Sequence, residues 1–252
     1  MDTTSYFNAE QTRDELVKWI RKWFDVNGKT SKAVIGISGG KDSTIVAALC
    51  VRALGRDRVY GVMMPNGEQK DIDDSIRVCE SLGIDNCTIN ILDSYDGIIN
   101  QMIESAKLVP SEQTYINLAP RLRMSALYAV SQSIGGRVVN TSNLSEFSVG
   151  YFTRWADECG DLKPLVNLTK TEVVEIGKTL TEIPLSLIIK TPSDGLSGQS
   201  DEDKLGFKYD NLDSHLRGLP VFNTDELVRI TDKIEGCKFK RKPPNAFSPQ
   251  FK

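Results

Sequence analysis

Ser38, Gly39, Gly40, Asp42 and Ser43 fall within six consecutive positions and bring together two hydroxyls, two unhindered backbone positions and one carboxylate. Just before them, Val34, Ile35 and Ile37 are β-formers of the kind that fill a buried parallel strand. Just after them, Thr44 to Leu54 reads as a helix. Paired glycines at such a junction let the chain turn tightly and come close to a ligand. The amides that open the helix then point to where an anion is favoured. The chemistry expected of Gly36, Ile37, Ser38, Gly39, Gly40, Lys41, Asp42 and Ser43 is therefore that of a phosphate cradle. It is not a Walker A loop, because Gly40-Lys41 is followed by Asp42 and the spacing back to Gly36 is one residue short. It is not a dinucleotide fingerprint either, since Ser38 stands where that pattern requires glycine. The plain alternative is a glycine turn between strand and helix that holds no ligand.

The order Ser-Gly-Gly-x-Asp-Ser resembles the loop of the ATP pyrophosphatases, or PP-loop enzymes, which cut ATP between its α and β phosphates. Further segments follow it. Met64 to Gln69 precedes Asp71, Asp73 and Asp74; Asn117 stands with Arg121 and Arg123; Asn140 to Glu146 precedes Gly150 to Asp157, then Asp161 and Pro164-Leu165. Downstream lie Leu168-Thr169-Lys170, Pro192-Ser193, Gln199 to Glu202 and Lys240-Arg241. Taken in this order, the series resembles the ammonia-dependent NAD synthetases, and the resemblance spans nearly the whole chain. The glycine loop alone would indicate only a superfamily.

The resemblance implies a carbon–nitrogen ligase that converts deamido-NAD and ammonia to NAD, with ATP as co-substrate. Amide formation from a carboxylate needs a better leaving group than oxide, and transfer to the α-phosphate of ATP gives an acyl adenylate that ammonia opens. That step gathers negative charge, so a metal and donors must offset it. Asp42 and Glu146 are the expected oxygen ligands for Mg2+, a hard cation that takes one or two carboxylates together with phosphate oxygens. Thr141, Lys170 and Ser193 fall on ATP-contacting positions, with Lys170 as a catalytic cation on the phosphates. Deamido-NAD is implied to lie against Arg121, Tyr151, Arg154, Asp161 and Lys240, with Phe152 also available to stack. Asp157 is the candidate to receive ammonium and help remove its proton. Without the resemblance, Lys170 reads as a solvated helix charge, Asp157 as a turn residue, and the arginines and aromatics as surface or core.

Some positions depart from the family pattern. Met63 stands where many members carry arginine, Ala119-Pro120 replaces a common basic residue, and Trp155-Ala156-Asp157 with Glu158-Cys159 replaces Tyr-Gly-Asp-Gly-Gly. The changes leave the ATP loop intact and fall nearer the ammonia site. No room is evident for a glutamine amidase domain, so free ammonia is the expected nitrogen source. Residues 191 to 203 are rich in Pro, Gly, Ser and acids and are expected to form a mobile lid, with 65 to 72 as a second candidate for motion.

The elements that must hold these residues follow from periodicity. A helix is expected over 8 to 27, strands over 33 to 38, 59 to 64, 87 to 92 and 137 to 142, and helices over 43 to 54, 71 to 83, 94 to 107 and 117 to 134. Alternating strands and helices imply an α/β fold, a parallel sheet flanked by helices with ligands at the carboxyl ends of its strands. The resemblance implies that the sheet is Rossmann-like, of the adenine nucleotide alpha hydrolase kind. Beyond Gly150 helices are expected over 169 to 180, 201 to 217 and 224 to 235, giving a helical C-terminal part of one domain, 1 to 252. Leu16, Ile20, Trp23 and Phe24 form an apolar face on the first helix that its own domain or another subunit must cover. The resemblance implies a homodimer built on helices of this kind, with substrate at the interface.

Composition narrows the class. Of the 252 residues 40% are hydrophobic and 26% charged, with net charge −3, so neither disorder nor a general nucleic-acid surface is indicated. No apolar run approaches the roughly 20 residues of a membrane span, and residues 1 to 4 lack the start of a signal peptide. The five scattered cysteines contain no CxxC pair, as expected of reduced thiols in the cytoplasm. His215, the single histidine, lies away from every motif, which argues against histidine catalysis. Two other readings keep part of the pattern: a pyrophosphatase acting on a GMP precursor or on tRNA, and a nucleotide-binding module without catalysis. The former lacks the expected basic surface or cysteine pairs, and the latter leaves Asp42 and Glu146 without a task.

Overall fold

The apolar run of the glycine motif forms β1 (Ala33–Gly36), in which Ala33, Val34 and Ile35 are fully buried. In this computed structural model, which describes residues 7–69, 72–189, 200–244 and 246–248, β1 lies inside a four-stranded sheet. On one side it pairs with β2 (Val59–Met63), and β3 (Asp85–Thr88) extends the sheet beyond β2. On the other side lies β4 (Arg137–Val138). The order is β3-β2-β1-β4 and every pairing is parallel. Parallel neighbours need crossovers, which place helices on the faces of the sheet. Here they are α2 (Lys41–Leu54), α3 (Ile72–Leu82), α4 (Leu92–Glu104) and α5 (Glu112–Ser133). The expected α/β architecture is present.

All four strands end before their expected bounds, and β3 and β4 differ most. β3 begins earlier, at Asp85, because pairing with Tyr60 to Met63 sets an edge strand more firmly than the propensity of its own residues does. β4 ends at Val138; beyond it Val139 N still bonds to Val34 O while Val139 and Asn140 pair with Leu162, and the Asn140 side chain fixes the turn that follows. Its amide donates to the carbonyls of Asp157 and Cys159, while its oxygen accepts from Ser142 N.

Upstream of the sheet, α1 (Ala9–Asn27) starts at Asn8, whose side chain accepts from Gln11 N. Ile20 and Phe24 are fully buried against the main core, and α1 packs on α2 and on α7 (Lys170–Lys178). The neighbouring helices therefore cover Ile20 and Phe24 fully and Leu16 and Trp23 in part. Trp19 and Val26 on α1 stay exposed, and other exposed apolar residues include Ile98 and Ile103 on α4, Tyr115 and Ile116 on α5, and Leu108 and Val109 between those helices.

The C-terminal part is helical, as expected. α6 (Leu144–Ser148) precedes α7, which is followed by α8 (Leu185–Ile189), α9 (Asp201–Leu205), α10 (Tyr209–Leu216), α11 (Thr224–Gly236) and α12 (Lys238–Arg241). The expected helix over 201 to 217 is two helices, because Gly206 takes the left-handed conformation (φ 78°) that ends α9. A second, smaller core of Val149, Leu205, Phe207, Tyr209, Leu212 and Ile230 joins α9, α10 and α11. All five cysteines are free, and no helix among the described residues is long and apolar enough to cross a membrane.

Candidate active site

The glycine loop sits at the carboxyl end of β1 and opens α2, whose N-cap is Gly40. Gly39 has φ 74°, and a β-carbon there would lie 3.1 Å from Asp74 Cβ and 3.2 Å from Ser75 N. Conformation and crowding both require glycine at this position. The hydroxyls are fixed within the loop: Ser38 N donates to Ser43 Oγ at 3.3 Å, Gly40 N donates to Ser38 Oγ at 3.2 Å, and Ser43 Oγ donates to Gly40 O at 3.0 Å. The result is a preformed turn at a helix N-terminus, the arrangement that accepts phosphate. Gly36 and Ile37 form its floor, with Ile37 buried.

Charge gathers beside this loop. Lys170 Nζ lies 2.6 Å from Asp42 Oδ2 and 2.8 Å from Glu146 Oε1, so one ammonium bridges two carboxylates brought in by three different helices. The Lys170 side chain is 8% exposed, while those of Asp42 and Glu146 are 17% and 18% exposed. Burial works to lower the Lys170 pKa, but Asp42 and Glu146 outweigh it and hold the ammonium well above its ordinary value. Burial raises the Glu146 carboxyl against the pull of Lys170. Lys41 is lowered, first by burial and then by Lys170. Tyr209 lies under the bridge, with Lys170 Nζ 5.5 Å from its ring centroid.

Asp42 Oδ1 is buried and has no hydrogen-bond partner in the protein. Together with Glu146 it provides oxygen donors of the hard type that magnesium takes. These two residues fit that ion by donor chemistry, and Lys170 stands between them.

The residues expected on the acceptor side lie on a second group of turns. Asp157 Oδ1 accepts from Thr153 N at 2.7 Å and closes the turn that carries Arg154 and Trp155. Burial pushes its carboxyl up to about 6, against the hydrogen bond from Thr153 and the charge of Lys240. Glu158 accepts from Trp155 N at 2.6 Å and Ala156 N at 3.0 Å, which holds Trp155 at φ 65°. The Arg154 guanidinium lies over Trp155 at 4.7 Å and over Phe239 at 4.4 Å, and Nη2 donates to Lys242 O at 3.1 Å. Lys240 Nζ donates to Gly150 O at 2.6 Å and to Phe152 O.

The structure thus joins Asp42, Glu146 and Lys170, residues that are far apart in sequence. Thr141 follows β4, half-buried, while Ser193 lies outside the described residues, as do 191 to 199 of the expected lid and residues 70 and 71 of the second segment. Tyr151 Oη donates to Asp201 Oδ1 at 3.1 Å, and Arg121 Nε donates to Arg154 O at 3.4 Å. Asp161 Oδ2 accepts from Val138 N at 2.8 Å, so this carboxylate also fastens the end of β4. Met63 is 3% exposed in the main core and presents no cation to a nucleotide. Ser145 falls inside the Asn140 to Glu146 segment without a role of its own there, and the motifs of the sequence did not single out Tyr209 or Asp213. Tyr209 and Asp213, four apart on α10, share one helix face, which was legible; what that face meets was not.

Comparison with known proteins agrees with this geometry. The family model described as NAD synthase matches residues 12–244. An NH(3)-dependent NAD(+) synthetase of Pyrococcus furiosus is 42% identical over 83% of this chain and 78% of its own length. One from Finegoldia magna is 39% identical over 95% and 97%. The solved NMN synthetase from Francisella tularensis is 34% identical, with a TM-score of 0.85 over 97% of this chain and 100% of that one. The chain belongs to the NAD synthase family.

Proposed function

We propose that the chain forms NAD from deamido-NAD and ammonia while ATP is cleaved to AMP and pyrophosphate. The observation that carries this reading is the Lys170 bridge between Asp42 and Glu146, set against a preformed anion loop. An oxygen of the nicotinate carboxylate attacks the α-phosphorus of ATP, the bond to the β-phosphate bridge breaks, and pyrophosphate leaves into the loop of Ser38, Gly39, Gly40 and Ser43. Lys170 follows the departing charge. Magnesium held by Asp42 and Glu146 would screen that charge as well. Ammonia then attacks the acyl carbon, the carbon–nitrogen bond forms, and AMP departs with the adenylate oxygen. Asp157 receives the ammonium and takes one proton from it, and the second proton, released as the amide forms, leaves with the departing AMP phosphate. Thr141 and Ser193 complete the ATP side. Arg121, Tyr151, Arg154, Asp161 and Lys240 orient the acceptor.

A second reading keeps the chemistry and shortens the acceptor to nicotinate mononucleotide, amidated to NMN. It is favoured by the end-to-end likeness to the Francisella enzyme. Incubation with ATP, magnesium and ammonium plus either acceptor, followed by nucleotide chromatography, separates the two. AMP and NAD in equal amounts, dependent on deamido-NAD, are expected. A higher kcat/KM for the mononucleotide assigns the second reading, and ADP in place of AMP overturns both.

We also propose a homodimer, closed over the exposed apolar residues of α4 and α5. Burying such a face is what a stable subunit contact does. Light scattering at micromolar concentration should give about twice the 28.0 kDa of one chain, and a clean monomer would remove the assignment. The free thiols fit the reducing cytoplasm as the compartment.

A further inference from the structure

Two of the site residues that meet through side chains, Glu146 and Lys170, are also joined behind the site by a single carboxylate. Asp213, on α10, is fully buried. Its Oδ1 accepts from Ser145 Oγ, and its Oδ2 accepts from Thr171 N at 2.8 Å and from Thr171 Oγ1 at 2.6 Å. Ser145 Oγ in turn accepts from Lys170 N at 2.9 Å. Ser145 immediately precedes Glu146, and Thr171 immediately follows Lys170.

The first-turn amides of a helix have no partner within it and must be met from outside. In α7, Thr169 caps Glu172 N, Ser145 takes Lys170 N and Asp213 takes Thr171 N. Two of the three caps therefore come from other helices, and both act through Asp213. Its negative charge is placed at the positive end of α7. Burial pushes its carboxyl up, while the bonds from Ser145 and Thr171 hold it down. Arg217, one turn further along the chain, reaches Glu172 at 2.5 Å and ties the same two segments a second time. Ordinary fold maintenance is served by that second tie. The Asp213 link does something more specific, because it fastens the backbone on either side of the Glu146–Lys170 pair.

We propose that Asp213 is a positioning residue that sets the distance between Glu146 and Lys170, and with it the engagement of magnesium-ATP. The proposal rests on the reading of the Asp42, Glu146 and Lys170 cluster as the site of magnesium-ATP. Without the carboxylate, Ser145 and Thr171 lose their common acceptor and α6 is released from the start of α7. A catalytic group displaced by about 1 Å loses on the order of 10²-fold in rate. Partners that orient metal ligands are worth about 10- to 100-fold in metal affinity.

The test uses the full chain with Asp213→Ala, Asp213→Asn and Ser145→Ala, and measures thermal midpoint, kcat, acceptor KM and the affinity for magnesium-ATP by calorimetry without acceptor. In Asp213→Ala we expect kcat to fall about 10²-fold, magnesium-ATP affinity to fall about tenfold, and acceptor KM to stay within a factor of about two. Asp213→Asn should recover much of the loss, since its amide can donate to Ser145 Oγ and its oxygen can accept from Thr171. Folded Asp213→Ala with native kcat and native magnesium-ATP affinity overturns the proposal. If Asp213→Ala does not fold, Ser145→Ala decides, because it leaves the Thr171 bonds in place: native affinity there overturns the proposal, and weakened affinity supports it. Glu146→Gln separates the two levels of the argument. If it leaves magnesium-ATP affinity unchanged, the site reading itself is wrong. If it weakens affinity while the Asp213 and Ser145 variants do not, only the role of Asp213 is lost.

Discussion

Replacing Lys170 with methionine should lower kcat by about 10²- to 10³-fold, the cost of removing one preorganised donor from developing charge. Methionine keeps the length of the stem and removes only the ammonium. The variant then leaves Asp42 and Glu146 facing one another, with no cation between them. Removing one partner of a fully buried ion pair costs about 3–5 kcal/mol, and here the loss is smaller because both carboxylates keep 17–18% exposure. Magnesium should restore part of it. The thermal midpoint of the variant is expected to rise on adding magnesium without nucleotide, and to rise more than that of the parent chain, whose ammonium already fills the position. Scanning fluorimetry against magnesium concentration measures this directly. Equal shifts in the two proteins, or a kcat within tenfold of the parent, would show that Lys170 is not at the centre of the reaction.

The second large effect concerns Asp157. Burial raises its carboxyl to about 6, so the form able to receive ammonium is present above that pH and lost below it. With total ammonium held constant, kcat/KM for ammonium should fall about tenfold per pH unit below 6 and level off above it. Asp157→Asn should abolish that limb and lower the plateau by about 10²-fold or more. Its oxygen can still accept from Thr153 N, so the turn survives the change. Stability should move in the opposite direction. A carboxyl raised from 3.8 to about 6 binds its proton more tightly in the folded chain, so its contribution is full below 3.8 and is lost as pH rises through 6. The lost amount is at most about 3 kcal/mol, since each tenfold gain in proton affinity is worth about 1.4 kcal/mol. The variant should therefore melt higher than the parent at pH 8, with the gap narrowing towards pH 5. A variant as fast as the parent, with the same acid limb, would remove Asp157 from proton transfer and leave it only the turn.

Much of the site was legible because its first part is local. The run from Val34 to Ser43 encodes strand, turn and helix start within ten residues, and the structure places them as read. Asp42, Glu146 and Lys170 were each named, yet nothing in their spacing required one ammonium to bridge both acids. That contact depends on how α2, α6 and α7 meet. Asp213 was invisible for the same reason: it lies in a polar helical stretch, and its partners Ser145 and Thr171 are 68 and 42 positions away. The face of α1 was correctly read as needing cover, and periodicity could not tell whether a neighbouring helix or a second subunit supplies it. β4 was read too long: past Val138 the chain pairs with Leu162, and the Asn140 side chain ties it to the carbonyls of Asp157 and Cys159.

The Lys170 bridge has a further consequence for how the site spends its time between substrates. An ammonium carried on α7 is present at a local concentration fixed by geometry, in the way that a linked binding group is. Dilution does not remove it. A free divalent ion must displace this resident cation before it can meet both acids, whereas an ion arriving on a triphosphate brings with it the anion to which the lysine can move. If the site takes magnesium-ATP as proposed, the arrangement favours exchange of one charged pair for another over stepwise filling.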